Sequence, residues 1–401
     1  MRIVYFTQYF PPEIGAAPQR AHYHAKKWVE MGNEVTVITN VPNSPYGKIY
    51  EGYRNRINQN EIIDGIHVTR LLTITSGKKS HTIHRFLSSF FYLVISSWAL
   101  FMKKPDIVLG SAPYFAGMSA YIYGKLRKIP FIYELRDPWL QIIQRSFSKP
   151  SLMLSILIKI ERKILKNTEK VVVIGNAMAD YIKNEYKLHV RPSAIYNGII
   201  KENFENIVKD IPSYIISRMI DKFNVGLIGN LGNQYDFEPI IKAALLLRNK
   251  NIQFLFVGEG TQKKYILQKI EELSLDNILV FEAVSYVQSQ NISKMCNLSI
   301  IPLKKGKLYD IYLPLKLFES LALGVPVLLC NGSEARNMLK ESRGGFFFKD
   351  HTELSEIILY CMDNFDKCKS KGKLGKKYIL KNFERSVMAE KYMKIFNDMK
   401  S

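Results

Sequence analysis

Residues 313–329 read Leu-Pro-Leu-Lys-Leu-Phe-Glu-Ser-Leu-Ala-Leu-Gly-Val-Pro-Val-Leu-Leu, and no other stretch narrows the possible folds as far. Pro314 suits the opening of a helix, and Leu317, Phe318, Leu321 and Leu323 give it an apolar stripe fit to pack on a sheet. Gly324 and Pro326 end the helix, and Val327-Leu-Leu reads as a core strand. Lys316 and Glu319 lie three residues apart and so share one helical face. The pattern holds one cation and one carboxylate at the mouth of an α/β sheet, where such folds place ligands. A lysine there can meet a phosphate, and a carboxylate can accept protons from two sugar hydroxyls. A solvated ion pair on an ordinary helix fits the same spacing.

At 401 residues the chain is too long for one ordinary core, and two domains are expected. Its net charge of +21 calls for a nucleic acid, an anionic membrane surface or an acidic substrate. No RNP motif, zinc knuckle or helix-turn-helix signal occurs, so no nucleic-acid partner is expected. Basic residues thicken around two apolar stretches, which favours a membrane surface. Cys296, Cys330, Cys361 and Cys368 show no metal-ligand spacing, and a reducing cytoplasm is the simple inference. The chain runs from Met1 straight into a strand pattern, with no signal peptide expected.

Arg2 to Thr7, the loop through Gly15 and a helical pattern to about Met31 make the strand, loop and helix that open an α/β half. The loop lacks the G-x-G-x-x-G of a dinucleotide site. Gly15 lets backbone approach a ligand, and serves a plain turn equally well. Residues 86–102 are uncharged throughout and flanked by Lys78, Lys79, His81, His84 and Arg85 before, Lys103 and Lys104 after. That length is at the short limit for a membrane span. Because Pro105-Asp-Ile-Val-Leu-Gly resumes the α/β alternation at once, the segment is expected as a crossover helix with one face in the core and one available to lipid. A fully buried crossover is the alternative. Leu152 to Lys170 combines apolar residues with Lys159, Arg162, Lys163, Lys166 and Lys170, a basic amphipathic helix that suits either a membrane surface or a solvated face.

Pro130-Phe-Ile-Tyr-Glu-Leu-Arg136-Asp137-Pro138-Trp139 is an apolar strand ending in two charges before a forced turn. Both side chains are expected to project from the sheet's carboxyl edge, as an acceptor-orienting pair or general base, or as an ion pair stiffening the loop. After a polar linker expected over 201–222, Phe223 to Ile228 leads into Gly229-Asn230-Leu231-Gly232 and a helix, a phosphate-friendly arrangement. Ile252 to Val257 likewise ends in Gly258-Glu259-Gly260.

The 313–329 stretch resembles the P-S-K-L-F-E-x-x-A-x-G-x-P-V signature of the retaining GT-B glycosyltransferases of the large fourth family, and the resemblance extends over nearly the whole chain. It implies an α/β GT-B fold: two Rossmann-like domains facing across a cleft, over 1–200 and 223–375, with a C-terminal helix at 376–401 returning to the first. It also implies roles. Gly15, Gly229, Asn230 and Gly232 would lie against the donor diphosphate, Gly258 would permit close backbone approach to the donor, Val284 would hold the nucleotide base by its main chain, and Lys316, Leu317 and Glu319 would complete the donor site. The R-D-P-W run looks like the R-D-x-W element on the acceptor side, so Arg136 and Asp137 would orient the acceptor and Lys316 would neutralise the leaving diphosphate. In one place the pattern departs: the usual partner of Glu319 is a second glutamate, and Ile311 stands in its position, with Asp310 adjacent but out of register.

The resulting expectation is a retaining, metal-independent transferase without a resident cofactor. It would move a sugar from a nucleoside diphosphate, UDP in the first instance, to a lipid-linked or polysaccharide acceptor in O-antigen or capsule assembly. It would work on the anionic inner face of the plasma membrane. The branch most resembled, the transferases of N-acetyl-L-fucosamine type, implies an N-acetylated amino-deoxysugar. A nucleotide-sugar 2-epimerase of the same architecture and a catalytically inactive scaffold are the alternatives.

Overall fold

The computed structural model describes residues 1–13, 15–44, 46–57, 59–75, 82–101, 104–111, 114–146, 152–205 and 210–400. Ile14, Lys78, Lys79, His81, Met102 and Lys103, all named above or within the segments named, lie outside them, as do the side chains of His84, Arg85 and Trp139. The chain divides into two compact units, Met1–Asn197 with Arg385–Ser401, and Gly198–Glu384.

The first unit alternates as its sequence pattern predicts. In order come β1 (Arg2–Phe6), α1 (Ala16–Glu30), β2 (Glu34–Asn40), β3 (Gln59–Ile63), β4 (Ile66–Leu71) and α2 (Thr82–Ile95), which runs into a 3-10 turn over Ser96–Phe101. Then follow β5 (Ile107–Ser111), α3 (Tyr114–Arg127), β6 (Phe131–Leu135), α4 (Trp139–Ser146), α5 (Leu152–Lys166), β7 (Lys170–Val173), α6 (Asn176–Tyr186) and β8 (Ser193–Ala194). Among the described residues the strands lie in the order β3-β4-β2-β1-β5-β6-β7-β8, parallel except for the β3/β4 pair. β5 and β6 are buried along their whole length, which is why they read as unbroken apolar runs rather than alternating ones. The strand order reverses between β1 and β5, and the loops leaving their carboxyl ends border the crevice in which such sheets take ligands.

The second unit begins with α7 (Glu202–Glu205) and α8 (Ser213–Met219) and continues with β9 (Phe223–Ile228), α9 (Glu238–Leu246), β10 (Ile252–Val257), α10 (Lys263–Leu273), β11 (Ile278–Phe281) and α11 (Tyr286–Met295). β12 (Leu298–Ile301), α12 (Lys307–Asp310), α13 (Leu315–Leu323), β13 (Val327–Leu329), α14 (Ser333–Ser342), β14 (Gly345–Phe347), α15 (His351–Asp363) and α16 (Phe365–Asn382) complete it. Its described strands are all parallel, in the order β11-β10-β9-β12-β13-β14, with the reversal between β9 and β12.

The final helix, α17 (Arg385–Lys400), belongs to the first unit and packs on α1. Tyr392 and Phe396 set their rings against Trp28 at 5.5 and 5.1 Å, and the Trp28 indole donates to the carbonyl of Ala389 at 3.3 Å. Tyr392, Phe396 and Trp28 are all fully buried, so each contributes on the order of 2–3 kcal/mol through apolar burial.

Two sequence expectations need correction. Residues 201–222 are not an irregular linker throughout: α8 turns Ile215 and Met219 into a core with Leu255, Val257 and Ile292, burial that isolated apolar residues in a polar stretch did not advertise. The returning tail starts at Arg385 rather than 376. α16 stays with the second unit because Gly372 and Gly375 bring its backbone against Gly324 and Gly344, and an added Cβ at Gly372 would fall 2.0 Å from the Gly324 carbonyl oxygen. The uncharged segment is helical as expected but breaks into the tighter turn at Ser96. Tyr92 and Ala99 face inward, while Leu87, Phe90 and Val94 are exposed.

Candidate functional site

Helix α13 is assembled as its sequence dictates. Pro314 sits before its first turn with extended backbone, and Gly324 ends it in the left-handed region at φ 77°, its amide and that of Val325 returning to the carbonyls of Leu321 and Ser320. The helix follows β12, at the strand-order reversal, and carries Lys316 and Glu319 on its half-buried face. The Lys316 ammonium does not lie in solvent beside Glu319. It donates to the carbonyl of Ile228 at 2.6 Å, at the end of β9, and lies against the α-carbon of Gly229. A Cβ added to Gly229 would stand 2.3 Å from Lys316 Nζ, and the backbone there has φ +112°, so this position admits only glycine. Burial pushes the Lys316 ammonium down to about 8, with Glu319 pulling it partly back up. Lys316, Glu319, Gly226, Ile228, Ser293 and Ser299 line a cavity of about 20 Å³.

The two glycine-bearing loops close on each other backbone to backbone. Gly229 donates to Val257 and Leu231 to Glu259 at 2.7 and 2.8 Å, and Gln262 returns a bond to Leu231. An added Cβ at Gly258 would stand 2.1 Å from the Gly229 oxygen, and one at Gly260 would stand 2.3 Å from the Leu231 oxygen. The glycines are therefore required first by this contact between loops. The amides of Gly229, Leu231 and Gly258 are engaged within the protein, so none of the three offers a backbone donor to a ligand. Asn230 is exposed between them.

Glu319 accepts from the phenol of Tyr286 at 3.1 Å. Tyr286 opens α11 directly after Ser285, whose hydroxyl and backbone form a capping box with Gln288. That contact ties the Val284 segment to Glu319, and Tyr286 is a site residue that the sequence reading did not identify. Leu317 needs correction: its side chain is fully buried and its amide bonds Pro314, because a helix face toward the sheet cannot also face a ligand. Ile311 is buried at 7% exposure, so the position of the missing glutamate is part of the core.

In the first unit Gly15 precedes α1 with φ +143°, and Gln19 donates to its carbonyl. The loop before it is braced by Glu13, which accepts from the amides of Phe10, Asn43 and Ser44. Arg136 and Asp137 leave the carboxyl end of β6, but they do not project together. Arg136 turns inward, 5% exposed, its guanidinium donating to Glu134 and, at 3.0 Å, to Asn197. Only Asp137 is exposed. Desolvation by the surrounding protein raises its carboxyl above the ordinary aspartate value, with Arg20 and then Arg136 pulling it partly back down. The cause of the inward turn is Glu134, a carboxylate inside an apolar strand that requires a cationic partner. A depression of about 540 Å³ in this unit, lined by Arg2, Glu34, Asn60, Ile62, His67 and neighbours, lies at the opposite, amino-terminal edge of the sheet.

Among the described residues no group of three or more His, Cys, Asp or Glu is arranged to hold a metal ion, and no helix is long and apolar enough to cross a membrane. α5 buries Leu154, Glu161, Ile164 and Leu165 and exposes Leu152, Met153 and Ile156 beside Lys159, Lys163 and Lys166.

The profile of Glycosyltransferase Family 4 matches residues 17–202, and that of Glycosyl transferases group 1 matches residues 220–378. The chain belongs to the family-4 glycosyltransferases. The transferase is 24% identical over 81% of its length to the colanic acid biosynthesis glycosyl transferase WcaI of Escherichia coli, covering 82% of that protein. It is 24% identical over 99% of its length to an uncharacterized glycosyltransferase, MJ1069, of Methanocaldococcus jannaschii, covering 98% of it. Among solved structures it resembles Anabaena HepE in complex with UDP and glucose, with TM-score 0.71 and 15% identity over 99% of this chain and 100% of that one. It also resembles the sucrose-phosphate synthase of Thermosynechococcus elongatus, with TM-score 0.72 and 13% identity over 99% and 98%. These likenesses establish the GT-B fold for the transferase.

Proposed function

We infer that the transferase moves a sugar from a nucleoside diphosphate, UDP in the first instance, to a lipid-linked or polysaccharide acceptor in bacterial surface polysaccharide assembly. The observation that carries this reading is α13, which holds a half-buried cation and a carboxylate at the carboxyl edge of a sheet, at its strand-order reversal. Lys316 meets the diphosphate and stabilises charge developing on the leaving group, doing the work of a metal clamp. Glu319, oriented by Tyr286, accepts the ribose hydroxyls. Asn230 adds a side-chain contact to the phosphates, and the Val284 main chain meets the base. In the first unit Asp137 orients the acceptor.

Names among the relatives support the pathway: WcaI of colanic acid biosynthesis, TuaH of teichuronic acid biosynthesis in Bacillus subtilis, and HepE, crystallised with UDP and glucose. The buried Ile311 removes one carboxylate from the donor-sugar side, which suits a deoxygenated or N-acetylated amino sugar transferred with retention. The exposed apolar residues of α2 and α5, with the lysines of α5, suit a peripheral seat on an anionic membrane at its cytoplasmic face.

The test is a thermal-shift screen with UDP and UDP-sugars, since a ligand of the folded state raises the melting temperature. UDP stabilises the wild type, and Glu319→Ala abolishes that shift; an unchanged shift removes the nucleotide role. Ile311 also leaves room for an inactive scaffold. That reading is favoured if UDP binds and a panel of UDP-sugars with prenyl-diphosphate-linked saccharides yields no free UDP. An epimeric UDP-sugar formed without acceptor indicates the epimerase.

A further inference from the structure

Glu134 is the fourth residue of β6 and is fully buried, a place where a carboxylate needs both charge and hydrogen-bond partners. Those partners come from separate pieces of the first unit. One carboxylate oxygen, Oε1, accepts from both the guanidinium of Arg136 and the phenol of Tyr392 on α17. The other, Oε2, accepts from Tyr5 of β1 at 3.3 Å and faces Arg20 of α1 at 3.8 Å. Burial pushes this carboxyl up, but Arg136, Arg20, Ser111 and Tyr392 together outweigh burial and hold it well below the usual range. Glu134 is therefore a permanent anion. His24, packed on Tyr392 at 5.2 Å, is driven down by burial and then by Arg136, and stays neutral.

The knot extends in a second direction. Arg136 gives its other terminal nitrogen to the Asn197 side chain at 3.0 Å, and the Asn197 carbonyl accepts from Arg385 Nε at 3.3 Å. Arg385 begins α17, and Tyr392 lies two turns further on. The start and the middle of one helix thus hold the two groups, Asn197 and Glu134, that grip the two ends of one guanidinium.

Arg136 immediately precedes Asp137, which stands exposed at the turn into Pro138. A guanidinium tied at both terminal nitrogens anchors the Arg136 side chain at its far end and so restrains the backbone from which Asp137 leaves the sheet. We propose that α17 is a positioning element for Asp137, acting through Tyr392, Glu134 and Arg136. This rests on the reading of Asp137 as the acceptor-side group. Tyr392 and Glu134 are fully buried and touch no substrate; they act on Asp137 through Arg136.

The experiment compares Tyr392→Phe with Asp137→Asn in the full chain labelled with [15N]arginine. The ε-proton of Arg136, assigned by its loss in Arg136→Lys, reports on the knot. The UDP thermal shift reports on the second unit. Transfer from a UDP-N-acetylhexosamine to a prenyl-diphosphate-linked N-acetylhexosamine reports on the acceptor. In Tyr392→Phe the Arg136 ε-proton exchanges about tenfold faster and the acceptor KM rises about fivefold, the scale of one lost charge-assisted hydrogen bond. The UDP shift stays as in the wild type. An exchange rate and acceptor KM unchanged by Tyr392→Phe overturn the proposal, even where Asp137→Asn abolishes transfer. Full transfer by Asp137→Asn overturns the acceptor reading instead. Should Tyr392→Phe not fold, Arg385→Lys loosens Asn197 instead and is read by the same three measurements with the same outcomes.

Discussion

Lys316 supplies a prediction whose size follows from the geometry. Its ammonium is held at about 8, against an ordinary 10.5, by burial beneath Gly229. A diphosphate arriving beside it restores the charged form, so binding takes up the proton that the free protein lacks. At pH 8 about half a proton is taken up per UDP, and between pH 7 and pH 9 the affinity falls about tenfold, or about 1.4 kcal/mol. Calorimetric titration with UDP in HEPES and in Tris at pH 8 measures the uptake directly, because the two buffers differ in ionisation enthalpy. Lys316→Met loses both the uptake and the pH dependence. It also stabilises the free protein at pH 7 by up to about 3 kcal/mol, since a depressed lysine makes folding less favourable below its unfolded pKa and that cost fades as pH rises from 8 to 10.5. Equal heats in the two buffers at pH 8, with the same Kd at pH 7 and 9, would refute the contact between Lys316 and the phosphates.

Glu161, buried on α5 and bonded by Tyr186 and Tyr133, is pushed up to about 7 by burial. Its folded form keeps a proton that the unfolded chain loses above 4.5, so stability falls by about 3 kcal/mol as pH rises from 4.5 to 7, and Glu161→Gln flattens that slope in urea titrations at pH 5 and 8. Gly258→Ala, with its new Cβ 2.1 Å from the Gly229 oxygen and φ at +144°, costs roughly 2–4 kcal/mol in urea unfolding and removes the UDP thermal shift. Replacing Lys159 and Lys163 together with alanine weakens flotation with phosphatidylglycerol vesicles by about 30-fold, at roughly 1 kcal/mol per lysine, and equal flotation would count against the membrane seat.

Features carried by neighbouring residues were legible in the chain. The apolar runs of β5, β6 and β10 announced a buried parallel sheet, and Pro314 and Gly324 bracketed α13 so that Lys316 and Glu319 had to share a face. Spacing alone did not separate a solvated ion pair from a ligand site, because the difference lies in what Lys316 touches. That partner, Ile228, is 88 residues away. The acid inside Phe-Ile-Tyr-Glu-Leu was the one signal of the knot around Glu134, and its partners Tyr5, Arg20 and Tyr392 carry no local mark.

Local order in the sequence determined which elements form, where they stop and which residues share their faces, because propensity, caps and periodicity act over a few residues. Only the tertiary structure decided that Arg136 turns inward while Asp137 stays out, that Leu317 belongs to the core, and that the loop glycines serve each other before any ligand. These outcomes depend on which distant groups arrive beside a buried charge or a bare α-carbon, and the free energies of desolvation and close packing that select them exist only once the chain is folded.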